Sequence, residues 1–465
     1  MSLVSIDPSS GKTLQRFEEH TDAQLEQILE VAAQRFATYR FTSLTVRAAW
    51  LQKAGALLEA EREPLARLIV EEMGKTLRSA VAEVQKCAHT CRYYAEHSAR
   101  YLADEPIPTE PSKSFVRCLP LGPVLAIMPW NFPCWQVVRF AAPALMAGNV
   151  GLLKHASNVT RCALALESVF SRAGFPTGVF QTLLLSSKRI GKVLADPRIK
   201  AATLTGSEGA GIAVASAAGQ SLKKVVLELG GSDPFLVMPS ANLDEAVRVG
   251  VNARTLNAGQ SCIAAKRFII HEAVYSQFEE GFVAAMARLQ VGDPMLEGTD
   301  LGPLATREVL ESVDRQVRES VERGARLVLG GKPRGGEGHF YPATVLADIP
   351  SAAPVHQEEV FGPVALLFRV GSVDQAIALA NDTPFGLGSS AWTGDLKEQE
   401  RFVNELDAGQ TFINAMVASD PRLPFGGVKR SGYGRELGAL GPREFCNLKT
   451  ISIGPSAPPG RQESE

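Results

Sequence analysis

Four short stretches carry side chains suited to covalent or acid–base chemistry. Cys262 ends the run Asn257-Ala258-Gly259-Gln260-Ser261-Cys262. A free thiol is only about 3% thiolate at pH 7, but the thiolate is the strongest side-chain nucleophile. Glu228 follows the apolar run Val225-Val226-Leu227 and precedes Leu229-Gly230-Gly231. A carboxylate at the carboxyl end of a buried parallel strand points into the crevice where ligands bind, and burial raises its pKa toward that of a useful base. Asn131 lies in Pro129-Trp130-Asn131-Phe132-Pro133, where two prolines stiffen the loop and the amide can donate to an oxyanion. Thr205-Gly206-Ser207-Glu208-Gly209-Ala210-Gly211 opens a helix whose first amides suit a phosphate. Taken singly, each has a plainer reading: a buried structural cysteine, a strand-end ion pair, a turn in which Asn caps its own backbone, an ordinary strand-to-helix turn.

The elements that must position these residues are read from periodicity. Strand candidates at Val124–Met128, Val150–Lys154, Val179–Leu185, Ala201–Thr205 and Lys224–Leu229 alternate with helical patterns at Cys134–Met146, Thr160–Ala173, Ile190–Ala195 and Ala210–Ala218. That alternation predicts βαβ units and a parallel sheet. A second alternation begins after Gly230-Gly231, through Pro234–Met238, Leu243–Leu256, Lys266–His271, Tyr275–Leu289, Leu327–Leu329 and a strand from Val364 followed by the helix Asp374–Asn381. The first hundred residues read as helices. Two successive α/β units predict two domains with a ligand cleft between them.

The 465 residues are 45% hydrophobic and 21% charged, an ordinary globular composition, and the formal net charge is -2. No electrostatic footprint for nucleic acid or an anionic membrane follows. Seven scattered cysteines argue for a reducing, cytoplasmic setting. Between Arg117 and Lys154 the only charge is Arg139, but Pro120, Pro123, Pro129 and Pro133 break any spanning helix. Gly11-Lys12-Thr13 and Gly74-Lys75-Thr76 lack the earlier glycine of a phosphate loop, having Ile6 and Ile69 there. Cys87 and Cys91 share a helix face from which His89 points away, so no metal site is expected.

Together the motifs are similar to those of the aldehyde dehydrogenase superfamily: PWNFP at 129–133, TGSEGAG at 205–211, ELGG at 228–231, GQSC at 259–262, EEVFGP at 358–363 and PFGGVKRSGYGRELG at 424–438. The resemblance covers nearly the whole chain. It implies an α/β fold with a Rossmann-type cofactor-binding domain (1–104 and 119–231), an α/β catalytic domain (232–430), a small β oligomerisation arm (105–118 and 440–453) and a flexible tail (454–465). It further implies Cys262 as nucleophile, Asn131 as oxyanion donor and Glu228 as the base that activates water. The cofactor would be held by Met128, Pro129, Trp130, Lys154, His155, Ser157, Gly206, Ser207, Gly211, Leu229, Gly230, Glu359 and Phe361. Many members carry Lys-Pro-x-Glu where this chain has Lys154-His155-Ala156-Ser157. A carboxylate there would repel a 2′-phosphate, whereas Ser157 donates to it, and Lys154 and a protonated His155 would add positive charge. NADP is therefore expected over NAD, with NAD as an alternative.

Arg139 bears on the substrate. A buried guanidinium needs an anion, either a protein carboxylate or a carboxylate on the substrate. The chain looks most like the shorter bacterial succinate-semialdehyde dehydrogenases, in which Arg139 and Ser419 match carboxylate-binding positions, with Ser261 a third donor. It departs from many of them at Leu256, where they have a second Arg, with Arg254 out of register, and at Ala264, where some carry a second cysteine. The implied reaction is oxidation of succinate semialdehyde to succinate through a thioester on Cys262, the implied assembly a homodimer or homotetramer. Another small aldehyde, or a non-catalytic protein of the same fold, is the alternative.

Overall fold

The computed structural model describes residues 2–110 and 113–454, so most of the expected tail lies outside the described residues. The chain opens with a hairpin, β1 (Ser2–Ile6) and β2 (Thr13–Glu18), paired antiparallel. This corrects the all-helical reading of the first hundred residues: the hairpin is too short for periodicity to expose. Four helices follow, α1 (Asp22–Tyr39), α2 (Leu44–Ala60), α3 (Arg62–Met73) and α4 (Leu77–Tyr101). Thr21, Ser43 and Thr76 cap α1, α2 and α4 by accepting a backbone N–H.

Next come β3 (Glu105–Pro106), β4 (Lys113–Pro120), β5 (Pro123–Met128), α5 (Trp135–Ala147), β6 (Val150–His155), α6 (Thr160–Ala173), β7 (Phe180–Thr182), α7 (Ile190–Ala195), β8 (Ala201–Thr205), α8 (Glu208–Gly219) and β9 (Lys224–Glu228). Strands β9-β8-β5-β6-β7 pair parallel in that order, with α/β crossovers between them. Every residue of α5 is buried, so its apolar sequence is that of a core helix, ended by Gly148 at φ 98°.

The second sheet is built from β10 (Asp233–Val237), α9 (Leu243–Thr255), β11 (Ala265–His271), α10 (Glu272–Ala287), α11 (Arg307–Glu322), β12 (Arg326–Leu329), β13 (Thr344–Ala347), α12 (Pro354–Gln357), β14 (Val364–Val370), α13 (Val373–Asn381), β15 (Gly388–Trp392), α14 (Leu396–Glu405) and β16 (Gln410–Ile413). Its strand order is β12-β13-β14-β11-β10-β15-β16, parallel except for β12. Each sheet has its own hydrophobic core. The chain then returns to the first sheet. β17 (Gly432–Tyr433) pairs antiparallel with β9, setting Gly432 opposite Glu228.

A short helix, α15 (Gly441–Glu444), leads to β18 (Cys446–Ile453). β18 pairs with β4 and β4 with β3, so the expected arm has three strands rather than two. Residues 441–444 are helical instead of extended and lie against α5. Among the described residues, no helix is long and apolar enough to cross a membrane.

Candidate active site

Cys262 follows a turn that ordinary side chains resist. Asn257 and Ala258 adopt φ 57° and 52°, and Gly259 follows at 75°. Left-handed non-glycine residues cost of order 1–3 kcal/mol each, so surrounding bonds must hold them. A Cβ on Gly259 would lie 2.2 Å from the Gly362 carbonyl oxygen, which leaves room only for glycine. Arg254, fully buried, donates from Nη2 to the Gly259 carbonyl at 2.7 Å. Lys266 Nζ donates to the carbonyls of Ser261 and Cys262 at 2.8 and 2.6 Å.

The same loop is stitched to the one carrying Asn131. Asn257 Nδ2 donates to the Asn131 and Gln260 carbonyls at 2.7 and 3.0 Å, and Asn131 Nδ2 donates to the Gln260 carbonyl at 3.2 Å. Asn257, Gln260 and Lys266 were not singled out by sequence reading. Asn257 reaches the Asn131 carbonyl, Gln260 accepts from Ala305 N at 2.8 Å and Lys266 folds back on its own loop, contacts that leave no periodic signal.

Burial pushes the Cys262 thiol up to about 12, against the pull of Lys266 and Arg139. The resting nucleophile is therefore a thiol. Cys262 is common to two cavities. One, of about 250 Å³, is lined by Trp130, Gly206, Ser207, Gly230, Glu359 and Phe361 as well as Cys262. The other, of about 210 Å³, is lined by Lys86, Arg139, Ser261, Ser419 and Phe425 as well as Cys262.

On the first side Ser207 caps the 12-residue helix α8, accepting from Ala210 N at 3.4 Å. The Trp130 and Phe361 rings meet edge-on with centroids 5.7 Å apart. Glu359 accepts from Gly231 N at 3.1 Å and pairs with Lys266 Nζ at 3.3 Å. Pro129, Asn131, Thr205 and Leu229 complete this wall. Gly211 lies behind it, because a Cβ there would sit 2.7 Å from the Leu229 methyls.

Met128, Lys154, His155 and Ser157 do not line this cavity. They cluster where β5 and β6 end together, Ile127 opposite Lys154 and Met128 opposite His155. Ser157 is exposed on the turn Ser157–Val159, and Lys154 is partly exposed. The expected charge on His155 is corrected. Its Nδ1 accepts from Ala156 N at 2.9 Å, its Nε2 donates to the Pro133 carbonyl at 2.9 Å, and burial pushes its pKa down to about 4. His155 is a neutral strut between two loops.

Arg139 is also revised. Its Nε forms an ion pair with Glu436, and its Nη2 donates to Thr205 Oγ1 at 3.0 Å. Its guanidinium carbon lies 4.6 Å from the centroid of Phe425. The anion that a buried guanidinium requires is thus a protein carboxylate, though Arg139 still lines the cavity. Ser419 Oγ accepts from Lys86 Nζ at 2.6 Å. Glu228 is 2% exposed and lines neither cavity. Among the described residues, neither of its carboxylate oxygens has a hydrogen-bond partner. Burial raises its pKa far above the usual range; Glu436 adds to this, and Arg139 and Arg435 oppose it. Cys87 and Cys91 are buried in α4, whereas His89 is exposed.

Two α/β sheets, with a cysteine loop where their cavities meet, define a dehydrogenase-like architecture. The model of the aldehyde dehydrogenase family matches residues 2–451, and the chain belongs to that family. It is 54% identical over 460 residues, 98% of each chain, to the succinate-semialdehyde dehydrogenase [NADP(+)] of Mycobacterium avium strain 104. It is 52% identical over 453 residues to the probable succinate-semialdehyde dehydrogenase [NADP(+)] of Synechocystis, covering 97% of this chain and all of the relative. The crystal structure of succinic semialdehyde dehydrogenase from Streptococcus pyogenes with NADP+ superposes with a TM-score of 0.95. That chain is 35% identical, and the match covers 97% of this chain and 100% of that one.

Proposed function

We propose that the protein oxidises succinate semialdehyde to succinate, with NADP preferred and NAD as the alternative. One observation carries this reading: Cys262 is shared by the two cavities, so an aldehyde on one side and a dinucleotide on the other meet at one sulfur. Similarity to relatives named for that substrate and cofactor supports it.

The residues present fit a dinucleotide. A Cβ on Gly206 would meet only Leu204, at 3.6 Å, so a ligand can approach the backbone there. The N-terminus of α8 with its Ser207 cap suits the diphosphate. Trp130, Lys154 and Ser157 would hold the adenosine end, and Glu359 and Phe361 the nicotinamide end. Bound there, the cofactor supplies the acceptor for the hydride lost from the aldehyde carbon.

Cys262 gives its proton to solvent, and its thiolate adds to the carbonyl carbon. The Asn131 amide and the Cys262 backbone N–H donate to the developing oxyanion, a contribution typically of about 10²–10³ in rate. Loss of the hydride leaves a thioester on Cys262. Glu228 then takes a proton from water, the hydroxide adds to the thioester carbon, and the acid departs as the Cys262 thiolate is released. For this Glu228 must turn from its packed position against Gly426, whose Cβ would lie 2.8 Å from Oε1, toward Cys262.

The chain also assembles, in this reading, as a homodimer or homotetramer through the three-stranded β3-β4-β18 sheet, which exposes Leu448 and Ile453. The test of function is reduced-nicotinamide formation by purified protein with succinate semialdehyde, propanal or benzaldehyde, each with NADP and NAD. The highest kcat/KM is expected for the semialdehyde with NADP. Preference for the neutral aldehydes sinks the substrate assignment, and absence of turnover with every pair sinks the enzymatic one.

A further inference from the structure

One buried ammonium joins the two halves of the site. Lys266 is the second residue of β11, and the ladder to β10 is irregular around it: Asp233 stands opposite Ala265, but Pro234 stands opposite Arg267. Pairing with β14 also starts only at Arg267. Lys266 is thus the extra residue of a bulge, and a bulge re-aims the side chain it frees. Here the side chain returns to the loop it follows. Its Nζ donates to the Ser261 and Cys262 carbonyls at 2.8 and 2.6 Å and pairs with Glu359 Oε1 at 3.3 Å. An ammonium has three N–H groups, and these three acceptors account for them. The next residue, Arg267, is spent on the Ser232, Leu379 and Ala380 carbonyls.

At the other end of the pair, Glu359 lines the cofactor-side cavity. Its Oε1 takes both protein bonds, from Lys266 and from Gly231 N. Its Oε2 packs over Gly230, where a Cβ would lie only 2.5 Å away. We propose that Lys266 is a positioning residue for the reaction: one ammonium pins the Cys262 loop, orients Glu359 toward the cofactor cavity and supplies positive charge to the Cys262 thiolate. The thiolate part stands on the loop geometry; the cofactor part rests on the dinucleotide reading. A fully buried ammonium is kept only where acceptors replace its water, and an apolar chain of similar volume would fill the same space at less cost.

Charges from each neighbouring element bear on this pair. Burial pushes Lys266 down; Glu359, before β14, and Asp233, on β10, hold it up, whereas Arg254, on α9, opposes them. On Cys262, burial is the largest influence and pushes the thiol up to about 12. Lys266 pulls it down, ahead of Arg139 on α5, and Glu359 and Asp233 push it up. Glu359 therefore masks part of the Lys266 charge from the sulfur.

The test takes two readings on the protein without substrate. One is the rate of iodoacetamide alkylation at Cys262 from pH 7 to 10, by peptide mass spectrometry. The other is NADP affinity, by quenching of tryptophan fluorescence. Lys266→Met removes charge and bonds, Lys266→Gln removes the charge but keeps N–H donors, and Lys266→Arg keeps the charge. Met and Gln should each slow alkylation about tenfold or more, the thiolate lost for one pKa unit, and weaken NADP binding about tenfold. Arg should retain most of both. Glu359→Gln should separate the readings, speeding alkylation about threefold by unmasking the ammonium while weakening NADP. Three results overturn the proposal. Alkylation in Lys266→Gln equal to wild type leaves only bracing of the loop. Alkylation in Lys266→Arg as slow as in Lys266→Met leaves only packing. Unchanged NADP affinity in Lys266→Met removes the link to Glu359. Should the Lys266 variants fail to fold, Glu359→Gln decides alone, and alkylation no faster than wild type overturns the proposal. Wild-type protein that binds no NADP overturns the dinucleotide reading itself, while the alkylation series still decides what Lys266 does at Cys262.

Discussion

Burial sets the chemistry of the individual residues more than partnership does. The Cys262 thiol is pushed up to about 12 because desolvation outweighs Lys266 and Arg139. Its thiolate fraction should therefore grow about tenfold per pH unit from pH 7 to 10, and peptide-level mass spectrometry of iodoacetamide labelling at Cys262 should follow that slope. Glu228 is displaced in the same direction, so its ionised form, the one that can act as a base, needs a higher pH than an ordinary carboxylate does. Glu228→Gln should retain a burst of reduced cofactor near one per site and lose steady-state turnover by roughly 10²–10⁴-fold in rapid-mixing assays. At the adenosine end, Ser157 is exposed where β5 and β6 finish. Ser157→Glu should lower the NADP-to-NAD ratio of kcat/KM about tenfold or more, since a carboxylate there repels a 2′-phosphate.

Among the elements, α4 and α5 matter because they fix the loop that carries Asn131. Glu83 on α4 accepts the Cys134 and Trp135 amides at 2.8 and 3.0 Å, at the start of α5. It also holds the fully buried Lys75, whose ammonium lies 3.8 Å from the Phe132 ring centroid. Negative charge at a helix N-terminus is favourable, and removing one partner of a buried pair leaves the other uncompensated. Glu83→Ala should cost about 3–5 kcal/mol in urea unfolding. It should also lower kcat, because the Pro129–Pro133 loop loses its anchor.

At the scale of the molecule, the chain crosses between its two sheets more than once. β17 joins the first sheet after the whole of the second is complete, and Glu359 from the second sheet's domain accepts from Gly231 beside the first. The β3-β4-β18 sheet stands apart from both. Ending the chain after Phe445 removes β18 and leaves β4 paired only with the two-residue β3. That truncation should reduce the mass seen by light scattering to that of a monomer, since a sheet so small is marginal without further pairing.

The sequence by itself determined the local elements and the inventory of chemistry. Apolar periodicity placed Ala201–Thr205 and Thr160–Ala173 at their observed boundaries, because such segments are selected by a face they must bury. Glu228 and Asn131 were legible as residue types at strand ends, whereas Cys262, expected in the same setting, follows the turn after α9 and precedes β11. The β1–β2 hairpin was not, being shorter than the window in which a pattern repeats. Only the tertiary structure decided charge and partnership. His155 is neutral because it is sealed between two carbonyl-bearing loops, and Arg139 is occupied because Glu436, nearly three hundred residues away, folds back beside it. Lys86 is left facing the cavity for the same reason: the carboxylate nearest in sequence, Glu83, is claimed by Lys75 and the start of α5. Electrostatic partners depend on distance in space, and sequence spacing fixes that only within an element.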